Sequence, residues 1–265
     1  MKYCRFQAED GPRYGRVEER DGALWMTGLL ASPWKLDEQD ATDPDFQARR
    51  LGDLSLLPPV TPSKIICVGR NYRDHAKELG NEVPVEPLLF FKPPSSLLSP
   101  GGTIRIPKVS ARVDFEGELA VIIGKQARRV RRDQDLRPYI HGFTLANDVT
   151  ARDLQKKDGQ WTRAKGFDTF CPVGPIVETD LDLAAGLMIE THQNGEMRQH
   201  GSTLDFIFPL PVLLEYITAA ITLEPGDLLL TGTPAGVGPL AAGDVVEVSI
   251  SGLGQLSNTV QLEED

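Results

Sequence analysis

The chain has 265 residues, 40% hydrophobic and 25% charged, enough for one large domain or a catalytic domain with a small appendage. Its net charge of −10 opposes non-specific nucleic-acid binding, which draws its affinity from a basic surface. No apolar run approaches the roughly 20 residues that span a bilayer. The start, Met1-Lys2-Tyr3-Cys4-Arg5-Phe6, lacks the apolar stretch of a secretory signal, and Cys4, Cys67 and Cys171 show no CxxC spacing, so a reduced, cytoplasmic setting is expected.

In chain order, Gly15-Arg16-Val17-Glu18 and Ala23-Leu24-Trp25-Met26 alternate in polarity and predict small strands. Leu57-Pro58-Pro59-Val60-Thr61-Pro62 then interrupts regular structure, because proline has no backbone donor. A boundary placed there gives a small N-terminal β domain, residues 1–57, and a larger domain, residues 58–265. Residues 64–69 read as a buried strand. Asn71 is placed as the cap of a short helix over 72–79, with Gly80 as its stop. Further strands are expected at 88–92, 119–123, 143–149, 174–177, 187–192, 227–231 and 245–250. Asn194-Gly195 predicts a tight hairpin. One longer helix falls within 211–220, led by a proline suited to a first turn. The basic run Arg128-Arg129-Val130-Arg131-Arg132 reads as a solvated turn. The sum is a β-rich α+β fold, with helices too few and irregular for an alternating parallel α/β domain.

The chemistry concentrates in Asp114-Phe115-Glu116-Gly117-Glu118, followed by an apolar strand. Side chains alternate along a strand, so Glu116 and Glu118 are expected on one face, where they repel unless a positive charge lies between them. Asp148, at the end of another apolar segment, supplies a third carboxylate. Hard oxygen donors without paired histidines or thiols favour Mg²⁺ or Mn²⁺, with Ca²⁺ possible, over Zn²⁺. An isolated Glu-X-Glu would read only as an acidic edge, but other segments add to it. His75 and Glu78 stand at i and i+3 on the short helix, so the carboxylate can orient the imidazole as a base. Lys165 lies in a mixed apolar segment. Thr231-Gly232-Thr233-Pro234-Ala235-Gly236-Val237-Gly238 permits close backbone approach to an anion, yet lacks the Gly-Lys-Ser/Thr ending of a nucleotide-binding loop.

Six segments in this order, GRNYRDHAKELG (69–80), FFKPPSSLLSPG (90–101), DFEGELAVIIG (114–124), NDVTARDLQ (147–155), WTRAKGFDTFCPVGP (161–175) and LTGTPAGVG (230–238), resemble the fumarylacetoacetate hydrolase family. The resemblance spans roughly residues 60 to 260. It implies a mixed β-sheet roll, generally a homodimer, with Glu116, Glu118 and Asp148 as ligands of a metal that is usually Mg²⁺. It further implies Lys165 as an active-site lysine, His75 and Glu78 as a catalytic pair on a mobile lid, and Thr233 contacting substrate oxygens. Arg70 and Lys92 fall in matching motifs and are assigned to substrate binding. The short leader favours the smaller members of the family.

These residues predict an enzyme for a small enolisable 2-oxo acid. Hydrolysis of a carbon–carbon bond in an acylpyruvate-like substrate leads, followed by isomerisation of a 2-hydroxyhepta-2,4-diene-1,7-dioate, then decarboxylation of an oxaloacetate-type acid. A carboxylate-binding protein without turnover is the reading from another class, and the His75–Glu78 pair argues against it because binding needs no base.

Overall fold

The strand Gly117–Ile123 is buried along its whole length. Leu119, Val121 and Ile123 enter one hydrophobic cluster and Ala120 and Ile122 another, as the two-residue period of a strand requires. Such a strand is stable only inside a sheet covered on both faces. The computed structural model describes residues 1–34 and 46–264; residues 35–45 of the expected N-terminal domain and Asp265 of the larger one lie outside the described residues.

Among the described residues the largest sheet has 12 strands. Its main path runs Arg49–Arg50, Ala23–Leu30, Gly11–Arg20, Lys2–Ala8, Cys171–Glu178, Ile140–Asn147, Gly117–Ile123, Leu228–Leu230, Ile65–Gly69 and Leu88–Lys92. Along this path only Leu228–Leu230 and Ile65–Gly69 pair in parallel. The N-terminal strands extend this sheet, with Lys2 and Tyr3 opposite Glu178 and Val177. A second sheet orders Glu196–Ser202, Met188–Gln193, Val245–Ile250, Gly254–Leu262 and Thr103–Ile106. Its Ile189, Val248, Ile250 and Leu256 share a core with Leu119, Val121, Phe143 and Leu145. A third, small sheet joins Thr150–Ala151, Val113–Phe115 and Gly238–Pro239. The fold is therefore mostly β, with mixed sheets, as expected.

Four α-helices interrupt the strands: α1 (Arg73–Glu78), α2 (Arg152–Asp158), α3 (Thr162–Lys165) and α4 (Leu210–Ala220) among the described residues. Leu210, Leu213, Leu214 and Ile217 of α4 recur at helical spacing and fill the core between the two larger sheets. The hairpin turn holds Asn194 and Gly195 at φ of 55° and 80°, the left-handed pair that a two-residue turn needs. In the basic run, Val130 is buried while Arg131 and Arg132 pair with Asp133 and Glu215 at the surface. None of the described helices is long and apolar enough to cross a membrane.

Two local expectations change. The cap of α1 is Tyr72, and no side chain caps it. Asn71 instead turns inward, donating to Phe208 O at 3.2 Å and Thr231 O at 2.8 Å and accepting from Phe208 N at 2.8 Å. Three buried backbone groups with no ladder partner recruit that amide more strongly than a solvated helix end does. The strand expected at 143–149 closes at Asn147, which frees Asp148 to face the interior. Asn71→Ala leaves those backbone groups unsatisfied, so a loss of about 2 kcal/mol or more is expected in urea unfolding monitored by circular dichroism.

Candidate active site

Glu116 stands where the chain passes from the small sheet to the large one, between Val113–Phe115 and Gly117–Ile123. It is not inside a strand, so alternation alone does not aim it. Side-chain and backbone bonds do: Glu116 N donates to Asn147 Oδ1 at 2.9 Å, and Asp148 N donates to Glu116 O at 2.8 Å. Glu118 Oε2 accepts from Gly232 N at 2.7 Å. Gly232 has φ of 100°, and a Cβ there would lie 2.7 Å from the Asn71 side chain, so glycine is required. One carboxylate oxygen from each of Glu116, Glu118 and Asp148 lies within 4.8 Å of the others, and all three residues are buried.

Cations surround them. Lys165, at the end of α3, donates to Glu116 Oε2 at 2.7 Å and Asp148 Oδ2 at 2.5 Å. Lys92 donates to Asp148 Oδ1 at 2.6 Å and Val149 O at 3.2 Å. Arg152, opening α2, pairs with Glu116 and donates to Asp114 Oδ2 at 2.9 Å, and Arg112 holds Asp114 from outside. Burial opposes the charge on Glu116, but Arg152, Lys165 and His75 outweigh it and hold this carboxyl below its usual range. Glu118 has no such partner. Burial, then Asp148 and Glu116, push it well above the carboxylate range, against the pull of Lys165 and the Gly232 N–H. Burial would discharge Lys165, yet Asp148 and Glu116 prevail and keep it an ammonium. It can stabilise negative charge but is poorly suited to accept a proton.

This donor set fits a hard divalent cation: three buried carboxylates converge, and one of them lacks a cationic partner of its own. Soft ligation finds no support, since burial raises the nearby Cys67 thiol well above its ordinary value and that of Cys171 to about 12.

His75 Nδ1 lies 3.4 Å from Glu78 Oε2, and its Nε2 lies 3.9 Å from Glu116 Oε1. Burial, the largest influence, and Arg152 lower its affinity for a proton, while Glu116 and Glu78 partly offset them; the net shift is downward. A neutral imidazole oriented by a carboxylate can accept a proton. Glu78 also accepts from Gly236 N at 3.1 Å, which fastens α1 to the glycine-rich loop.

His75, Glu116, Glu118, Asp148, Arg152 and Lys165 line a cavity of about 410 Å³, together with Arg70, Lys156, Gln155, Phe90 and Trp161. Of the residues singled out in the sequence, His75, Glu116, Glu118, Asp148, Lys165, Arg70 and Thr233 line it. Glu78 and Lys92 do not; Glu78 stands behind His75, and Lys92 lies buried against Asp148. The Thr233 hydroxyl donates to Gly117 O at 2.9 Å and accepts from Gln199 Nε2 at 2.7 Å, which leaves it no free donor for a substrate. Arg152, Gln155 and Trp161 were missed although they lie in the quoted NDVTARDLQ and WTRAKG segments; their motif membership was the available signal. Gln199 carried no such signal.

Residues 64–261 match the model of the fumarylacetoacetate (FAA) hydrolase C-terminal domain. The chain belongs to the fumarylacetoacetate hydrolase family. Residues 1–59 match a second model, Rv2993c-like, N-terminal. Protein Rv2993c of Mycobacterium tuberculosis is 44% identical over 94% of this chain and 97% of its own. An oxaloacetate tautomerase, fahd2 of Xenopus laevis mitochondria, is 42% identical over 98% of this chain and 90% of its own. The crystal structure of 2-hydroxyhepta-2,4-diene-1,7-dioate isomerase from Mycobacterium marinum superposes with a TM-score of 0.86 at 40% identity, covering 100% of both chains. The family and the β-rich fold expected from the sequence are thus borne out.

Burial and the neighbouring carboxylates both oppose a charge on Glu118, and Glu118→Gln relieves both. The expected result is a melting temperature in EDTA equal to or above that of the parent, with Mg²⁺ affinity reduced at least tenfold in a calorimetric titration (order of magnitude for a lost charged ligand). A lower melting temperature with unchanged affinity would remove Glu118 from the metal site.

Proposed function

We propose that this family member moves a proton on a small enolisable 2-oxo dicarboxylic acid, interconverting keto and enol forms as an oxaloacetate-type tautomerase, with Mg²⁺ as its metal. The observation that carries this reading is His75: buried, with its proton affinity lowered chiefly by that burial, backed by Glu78, and set in a cavity whose wall includes Arg70 and Lys156. Neither of those two side chains forms a hydrogen bond or ion pair among the described residues. Two uncommitted cations beyond the carboxylate cluster suit the distal carboxylate of a dianion. The hydrolysis favoured from the sequence is placed second here, because the similar tautomerase and isomerase carry names of proton-transfer chemistry.

Glu116, Glu118 and Asp148 would hold the cation. Bound there, it supplies a Lewis acid that draws electrons from a carbonyl oxygen and favours enolisation. His75 Nε2 takes a proton from the carbon beside the ketone, and the C–H electron pair becomes the carbon–carbon double bond of the enolate. Glu78 holds the imidazole in orientation through Nδ1 and stabilises the imidazolium that forms. The Lys165 ammonium offsets negative charge beside the reacting oxygen without giving up its proton. Arg70 and Lys156 bind the far carboxylate, and the Phe90–Trp161 wall excludes water from the carbon being protonated. Return of the proton to carbon or oxygen completes the isomerisation with no change in mass.

The test combines enol-oxaloacetate decay by ultraviolet absorbance with product mass analysis, using oxaloacetate, an acylpyruvate and a dienedioate. Faster enol–ketone interconversion, abolished by EDTA and without change of mass, is expected. Dominant release of carbon dioxide would assign decarboxylation, and water-cleaved fragments would assign hydrolysis; either would overturn the tautomerase reading. His75→Ala should lower kcat by about 100-fold or more while leaving Mg²⁺ affinity nearly unchanged, since the imidazole is proposed as base and not ligand.

A homodimer is part of the same proposal. Leu88–Lys92 forms an edge of the large sheet and exposes Leu88 and Phe91, with Val85 exposed just before it. An apolar edge strand of this kind is usually covered. Light scattering should give about twice the 29.1 kDa chain mass; a value near 29.1 kDa would count against the dimer.

A further inference from the structure

The strand Gly117–Ile123 has a partner on one side along its length, but on the other Leu228–Leu230 reaches only Ala120, Val121 and Ile122. Thr231 extends the ladder by one step, its N and Oγ1 donating to Leu119 O at 3.1 Å and 2.8 Å. At Gly232 the chain turns away. Gly117, the residue between Glu116 and Glu118, would then present a buried N–H and C=O with no strand to receive them, which carries a large desolvation cost.

Side chains replace the missing strand. Gln199, fully buried on Glu196–Ser202 in the second sheet, accepts from Gly117 N through Oε1 at 2.9 Å. Its Nε2 donates to Thr233 Oγ1 at 2.7 Å and to Pro234 O at 2.8 Å. Thr233 Oγ1 donates in turn to Gly117 O at 2.9 Å. The bonds close a ring around the backbone N–H and C=O of one residue, Gly117. Behind it, a Cβ on Gly117 would lie 2.2 Å from Thr191 Oγ1 and 3.1 Å from a Val248 methyl, so the backbone has no room to shift that way. Glu116 and Glu118 project from either side of this clamped glycine.

We infer that Gln199 is a positioning residue for the metal-binding carboxylates, acting with Thr233 through the Gly117 peptide to fix the spacing of Glu116 and Glu118. The inference rests on the metal-site reading above. Gln199 touches neither substrate nor cation; it ties the second sheet to the two ligands. In this role the Thr233 hydroxyl acts on the backbone.

Four variants test this by calorimetric Mg²⁺ titration of EDTA-stripped protein, with melting curves and the Mg²⁺ dependence of kcat. Gln199→Leu and Thr233→Val should each weaken Mg²⁺ binding by about 10- to 100-fold, the usual effect of losing a group that orients a ligand. Most of the lost kcat should return at saturating Mg²⁺, which a general defect in folding would not allow. The double variant should lose no more than the worse single one, because both break the same ring. Thr233→Ser, which keeps the hydroxyl, should keep the parent's Mg²⁺ affinity and supplies the contrast with Thr233→Val even if the Gln199 variant folds poorly. Parent-like affinity in Thr233→Val, or losses that multiply in the double variant, would overturn the inference while leaving the metal site intact. Absence of Mg²⁺ binding by the parent itself would overturn the metal site and this inference together.

Discussion

Three buried carboxylates gathered within 4.8 Å repel one another, and much of the surrounding structure answers that repulsion. Lys165 bridges two of them, Lys92 backs one, and Arg152 shares its guanidinium between Glu116 and Asp114. Asp114 is balanced by Arg112 nearer the surface. A buried charge left unpaired is costly, so each of these cations depends on the carboxylates as much as they depend on it. Glu118 alone is met by a backbone N–H and no side-chain cation of its own, which is where a divalent ion has most to contribute.

The same compact charge cluster explains why it lies at a junction of sheets. A regular ladder would consume the backbone donors that here are aimed at carboxylates. Gly232 N reaches Glu118 only because its strand has ended, and Asp148 faces inward only because its own strand closes at Asn147. The backbone groups freed by these early endings are met by Asn147, Asn71, Gln199 and Thr233. Rigid sheets on either side then hold the irregular segments in place.

The proposed chemistry draws on a division of labour between groups of like type. Two carboxylates raise the proton affinity of Lys165, whereas burial and Arg152 lower that of His75 against the pull of Glu116 and Glu78. One can stabilise an anion and the other can accept a proton at the same pH. That separation of roles, in a cavity lined by both carboxylates and uncommitted cations, is what proton transfer on a dianionic substrate requires.

Apolar runs, turn residues and the order of six motifs were enough to read the β-rich class, most strand positions, the hairpin at Asn194-Gly195 and the family. These signals are local: the period of a strand, the φ needed in a tight turn, and motif spacing are all properties of a few neighbouring residues. The aim of Glu116 was not local. Strand alternation put it beside Glu118, yet it sits in a break and owes its direction to Asn147, 31 residues away. Asn71 read as a helix cap because caps are local, but it is claimed by Phe208 and Thr231 across the core. Lys92 read as a substrate contact, while burial against Asp148 places it behind the cavity lining. Gln199 carries no signal in its own segment, since its partners come from a strand 82 residues distant and a loop 34 residues distant. The amino-acid sequence determined which side chains were available and which segments would form strands. Tertiary structure decided which of those side chains meet, because charge pairing and the satisfaction of buried backbone groups depend on segments that only packing brings together.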